Sequence, residues 1–81
     1  MPLTVLFRKR YGRYAVTLTA HTPSEYNYVN RSMPERRRVQ LTHSKTGRRI
    51  AGIVLSRRMR PFSGASRSTK LSLTLLPCAL L

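Results

Sequence analysis

Arg13-Tyr14-Ala15-Val16-Thr17-Leu18-Thr19-Ala20 alternates its side chains with a period of two. Tyr14, Val16, Leu18 and Ala20 fall on one side; Arg13, Ala15, Thr17 and Thr19 fall on the other. Alternation of this kind in a run rich in β-formers is the signature of a half-buried strand. The chain is therefore read as β in class. His21-Thr22-Pro23-Ser24 interrupts the run, because proline lacks the donor that a central strand needs. Tyr26, Tyr28 and Val29 then read as a second, shorter strand, and Asn30 to Arg37 as an Arg-dense loop around Pro34.

Downstream lies a hairpin pattern. Val39 and Leu41 share one face, with Arg38, Gln40 and Thr42 on the other. Ser44-Lys45-Thr46-Gly47 supplies turn chemistry, with Gly47 available for a positive φ. Arg49 to Leu55 returns as a β-rich run carrying Ile50, Ile53, Val54 and Leu55, and Gly52 within it implies a bulge or a close backbone approach. Beyond Leu55 come the basic run Ser56 to Pro61 and the Ser- and Gly-rich Phe62 to Lys70. Leu71, Leu73 and Leu75 alternate again, and the apolar end Leu76 to Leu81 fits either an added strand or an arm docked on a neighbour. The chain shows no internal repeat and no heptads.

Charge narrows the class of partner. Sixteen Lys and Arg face two acids, Glu25 and Glu35, for a net charge of +14. Thirteen of the cations are Arg, and only Lys9, Lys45 and Lys70 are Lys. Arginine presents a planar fork of donors that grips phosphate bidentately and stacks on bases, and phosphate would neutralise a surface that otherwise repels itself. Arg36-Arg37-Arg38 and Arg48-Arg49 flank the proposed hairpin, so a ribbon could carry cations along a phosphate backbone. Candidate RNA contacts are Arg8, Lys9, Arg10, Arg13, Arg31, Arg36, Arg37, Arg38, Lys45, Arg48, Arg49, Arg57, Arg58 and Arg60.

Other chemistries find little support in the sequence. Cys78 is the lone cysteine, so no disulfide forms within a monomer. His21, His43 and Cys78 match no zinc spacing and fall short of four ligands. A Ser-His-acid triad would have to recruit Glu25 or Glu35 without any nucleophile-elbow sequence, and the glycines form no Walker loop. No cofactor and no enzymatic activity are expected. No apolar run reaches the ~20 residues of a membrane-spanning helix. The first twenty residues, basic and free of acid, suit import into an organelle and suit an RNA-binding extension equally well. Asn30-Arg31-Ser32 matches a glycosylation acceptor by chance, since no signal peptide accompanies it. Tyr11, Tyr14, Tyr26 and Tyr28, with arginines nearby, invite a base-stacking reading, but Tyr14, Tyr26 and Tyr28 read more readily as core side chains.

Tyr26-Asn27-Tyr28, a basic loop, Pro34-Glu35, Val39-Gln40-Leu41 and the β-run ending at Leu55 together resemble the bacterial-type large-subunit ribosomal protein thirty-three family. There an aromatic-x-aromatic strand leads through an Asn- and Arg-rich loop to a Pro-Glu-Lys-Leu-x-Leu strand, a turn and a basic-flanked apolar strand. Tyr14 to Ala20 matches the family's first strand and Arg57 to Arg60 its basic end, so the similarity spans roughly residues 13–60. His21-Thr22-Pro23-Ser24 stands where the family carries glycines, and Ser44-Lys45-Thr46-Gly47 where it carries an Asp-Pro turn. Without paired cysteines, only the zinc-free branch applies.

The resemblance implies a small all-β fold with a three-stranded antiparallel sheet at 13–60, a basic N-terminal extension at 1–12 and a C-terminal arm at 61–81. It implies a mitochondrial structural protein seated on large-subunit ribosomal RNA near the tRNA exit region, with 71–81 available to neighbouring ribosomal proteins. A free cationic membrane-active or regulatory peptide is the alternative, and a DNA-binding regulator a third reading that lacks a reader motif. Core candidates are Tyr14, Val16, Leu18, Tyr28, Val39, Leu41, Ile50 and Val54. So small an apolar set under so much charge predicts a chain that needs RNA to fold.

Overall fold

The computed structural model describes residues 3–59 and 69–80. Five strands and one helix follow one another as β1 (Thr4–Arg10), β2 (Arg13–Ala20), α1 (Pro23–Ser32), β3 (Arg38–Thr42), β4 (Arg49–Met59) and β5 (Thr69–Cys78). The strands form a single sheet in the order β1-β2-β5-β4-β3, antiparallel throughout. It curls into a half-barrel. Its two edges meet at one place, where the Val5 amide donates to Ser44 Oγ at 2.7 Å and the Ser44 amide donates to the Val5 carbonyl at 2.8 Å. Phe7 packs edge-on against the His43 ring beside this junction, with centroids 4.9 Å apart. The edge of β1 is thereby partly covered, which limits its pairing with other chains.

The β class is as the sequence implies, but there are five strands and not three. Arg13–Ala20 is a strand with Val16, Leu18 and Ala20 buried, and the Val39/Leu41 hairpin is present. The two additional strands come from segments expected as extensions. Thr4–Arg10 pairs with Arg13–Thr19 of β2 through a two-residue turn at Tyr11-Gly12. Thr69–Cys78 is not an outlying arm but the middle strand, inserted between β2 and β4. Its alternation buries Leu71, Leu73 and Leu75 on one face, and pairing with β2 on one side and β4 on the other puts the strand in the centre.

The second correction concerns Tyr26 to Val29, expected as a strand and found within α1. Thr22 caps the helix, its Oγ1 accepting from the Glu25 amide at 3.1 Å, while Glu25 Oε1 accepts from the His21 amide at 2.8 Å. Pro23 opens the helix where its missing N–H costs nothing. This Thr-x-x-Glu arrangement is a close variant of the capping box, with the carboxylate reaching one residue further back. Val29 and Met33 turn into the core, whereas Tyr28, expected there, is 58% exposed. Asn30 to Ser32, expected in the loop, complete α1, and a turn at Pro34–Arg37 leads into β3.

The core joins Val5, Val16, Leu18, Val29, Met33, Val39, Leu41, Ile50, Val54, Leu71, Leu73 and Leu75. Tyr14 packs at its edge against Phe7, ring centroids 5.9 Å apart. Gly52 marks a close backbone approach: a β-carbon there would lie 2.9 Å from both Leu75 Cβ and the Leu76 carbonyl. The bulge comes just beyond it, between Val54 and Ser56.

Candidate nucleic-acid interface

Strand register decides which cations share a surface. Partners directly opposite in an antiparallel pair lie on the same face, and alternate residues return to it. On the outer face, Arg8 stands opposite Ala15, Ala15 opposite Thr74, and Thr74 opposite Ser56. The next row runs Leu6, Thr17, Ser72, Arg58, and the one after it Thr4, Thr19, Lys70. In the other direction Arg10 faces Arg13 across the hairpin end, and Leu76, Ile53 and Arg38 form a row over β5, β4 and β3.

The result is a floor of small and hydroxylated side chains with cations around it. Three adjoining shallow concavities meet at Ala15, and the largest also shares Thr74 with one neighbour and Thr17 with the other. The largest, about 360 Å³, reaches Ser56, Arg58 and Ser72. Arg8, Arg10 and Arg13 stand on the β1–β2 side, Arg58 and Arg38 on the β4–β3 side, and Lys70 at the end of β5. Strands lie about 4.8 Å apart, so β1 and β4 are separated by ~14 Å across this floor. All six cations are exposed. Glu25 sits in α1 and Glu35 in the turn before β3, so neither acid belongs to an outer-face row. With sixteen cations and two acids, at least fourteen cations have no acid of their own.

The remaining candidate contacts scatter. Arg36-Arg37-Arg38 and Arg48-Arg49 do not converge: Arg38 and Thr42 end β3, and Arg49 pairs with Thr42 at the far end. Arg36 has φ 70° within the turn, its amide donating to the Val54 carbonyl at 2.7 Å. Arg38 also donates to the Ala79 carbonyl at 2.6 Å. Lys45 and Arg48 are exposed around the β3–β4 turn, where Gly47 has the expected positive φ of 74°. Arg31 is exposed in the last turn of α1, and Lys9 lies at the core-facing register but beyond the core. Arg60 falls outside the described residues.

Arg57 is turned the other way. It shares the inner face with Leu73, and its guanidinium donates to the carbonyls of Asn30 (3.0 Å) and Met33 (3.1 Å) and to Asn30 Oδ1 (2.6 Å). A cation at a helix C-terminus meets unsatisfied carbonyls and the negative end of the dipole. Arg57 thus fastens α1 to the sheet, whereas its neighbour Arg58 faces outward. Lys70, by contrast, joins the outer face although the sequence did not mark it, because only the β2–β5 pairing reveals its place opposite Thr19.

Among the described residues no three His, Cys, Asp or Glu side chains gather to hold a metal. His43 Nδ1 accepts from the Lys45 and Thr46 amides at 3.1 and 3.3 Å, and His21 Nε2 lies 2.9 Å from Thr4 Oγ1. No described helix is long and apolar enough to cross a membrane. A separate apolar cleft of about 230 Å³, between α1 and the end of β2, is lined by Ala20, Thr22, Pro23, Tyr26, Asn27 and Thr69 and carries no cation. Comparison of the chain with protein-family models, curated proteins and solved structures gives no significant match in any of the three.

Proposed function

We propose that the protein binds RNA across the outer face of its sheet and performs no reaction. The observation that carries this reading is the uniform sign of that face: every charged side chain in its rows is cationic, and they surround a floor of small side chains that leaves room for a nucleic-acid strand. Arginines at several rows would hold successive phosphates while Thr17, Thr74, Ser56 and Ser72 offer hydroxyls to sugars and base edges. Phosphate contacts position the chain without reading sequence, which suits an architectural role.

We further propose that its seat is the large subunit of a mitochondrial ribosome, beside neighbouring ribosomal proteins. The Val39-Gln40-Leu41 hairpin, the basic end of β4 and the excess of arginine support this. The helix at Tyr26–Val29 and the central β5 depart from the resemblance on which it rests.

Two experiments test the two levels separately. Affinity for RNA should fall steeply with salt, and changing Arg8, Arg10, Arg13 and Arg58 together to Gln should flatten the log–log slope by roughly 0.7–0.9 for each phosphate no longer neutralised. An unchanged slope would place the RNA elsewhere or nowhere. Sedimentation of the tagged chain in a mitochondrial lysate should show it with the large subunit, and a purely free or membrane-bound pool would remove the ribosomal seat.

A further inference from the structure

The β1–β2 hairpin turns at Tyr11 and Gly12, with φ of 51° and 73°. Two successive positive φ values in a two-residue loop belong to a type I′ turn, whose first central position ordinarily holds Asn, Asp or Gly. Gly12 meets that demand without a β-carbon. Tyr11 does not, and bulky side chains in this region are rare. The residue is 91% exposed, so burial does not hold it there either. Neither packing nor turn preference explains a tyrosine at this tip, and residues kept in disfavoured backbone regions concentrate where function requires them.

Its surroundings indicate what the ring could meet. The Arg10 guanidinium carbon lies 5.4 Å from the ring centroid, a cation–π contact that orders one side of the ring. Arg10, Tyr11, Arg13, Tyr14, Ala15 and Thr74 line a shallow concavity of about 260 Å³ that opens onto the outer face. An aromatic wall and two phosphate-binding side chains thus share one hollow at the end of the cationic floor.

We propose that this hollow is a subsite for one unpaired nucleotide, with Tyr11 stacked on the base and Arg10 and Arg13 holding its phosphate. The inference rests on the RNA reading above and narrows it to a single-stranded element. An unpaired base offers the ring a free π-face, which a base inside a duplex does not. A tyrosine among cations also occurs at lipid headgroups. Membrane seating, however, draws on buried apolar area, and the other residues of this tip, Lys9, Arg10, Gly12 and Arg13, provide none.

The test measures binding of the full chain to a short oligouridylate and to a blunt RNA duplex, with thermal midpoints for each variant. Tyr11→Phe should bind the oligouridylate as the parent does. Tyr11→Asn should weaken binding roughly 5- to 150-fold, the range that one base–aromatic stack represents. Its salt slope should stay the same, because every phosphate partner is still present, and duplex affinity should not change. Its thermal midpoint should rise, since Asn suits the turn. Parental affinity of Tyr11→Asn for the oligouridylate, or a lowered midpoint, would overturn the subsite while leaving the RNA reading intact. So would loss of phosphatidylglycerol-vesicle binding in that variant with RNA affinity unaffected. A parent chain with no salt-dependent affinity for either RNA would overturn the RNA reading and the subsite together.

Discussion

Arg57 and Arg58 are neighbours in sequence and opposites in the fold, so changing each to Gln separates structure from binding. Arg57 makes three hydrogen bonds to oxygens at the end of α1. A hydrogen bond from a charged donor contributes about 1.5–3 kcal/mol at a buried site, and the helix dipole adds about 0.3–1 kcal/mol. Two of the three bonds are exposed and the third is part-buried. Solvent screening therefore lowers the total to about 2 kcal/mol. For a domain of this size that corresponds to a fall in thermal midpoint of roughly 8–16 °C. Arg58 has outer-face neighbours only, so Arg58→Gln should leave the midpoint where it is. It should instead reduce the salt slope of RNA binding by roughly 0.7–0.9. Circular dichroism melts and a salt titration of RNA affinity, run on both variants, give the comparison. If Arg57→Gln reduced the slope and left stability intact, its guanidinium would face RNA, and the division of β4 into two faces would be wrong.

Three further outcomes follow from the packing. Gly52→Ala should destabilise by about 1–3 kcal/mol, as overpacking does, because Leu75 Cβ and the Leu76 backbone occupy the space of the added methyl; a chemical-denaturation curve reads it directly. Thr22→Ala should cost about 1 kcal/mol through loss of the N-cap, visible as a lower midpoint with RNA salt dependence unchanged. Raising salt in the absence of RNA should raise the thermal midpoint, since shortening the Debye length from ~10 Å to ~3 Å weakens repulsion within a chain of net charge +14; a midpoint that falls would mean attractive pairs outweigh it.

The parts legible in the sequence were those that one local pattern decides. The alternation at Arg13–Ala20 and the Val39/Leu41 hairpin needed no distant partner to be read. Leu71, Leu73 and Leu75 showed the same alternation, but their place in the centre depends on pairing with Leu18, Val16 and Tyr14, more than fifty residues away, and with β4. The helix was legible too, through Thr22-Pro23-Ser24-Glu25 and the spacing of Tyr26, Val29 and Met33. Pro23 breaks a strand, but at the first helical position it is also a starter. The turn at Tyr11-Gly12 escaped because tyrosine is not a usual residue there. Likewise the expectation that RNA is needed for folding assumes eight core side chains, whereas fourteen hydrophobic residues are buried among those described. Low ionic strength is where marginal stability should now show. The cations themselves were all visible, but which share a face was not, because that depends on strand register.

RNA on the outer face of the sheet is the central claim, and NMR titration of the isotope-labelled chain with RNA bearing single-stranded ends tests it most directly. Signals of Arg8, Arg13, Thr17, Arg58, Ser72 and Thr74 should move together and saturate at one stoichiometry, while Asn27 and Tyr28 on α1 stay in place. Shifts confined to α1 and the β3–β4 turn, with the outer face silent, would contradict it.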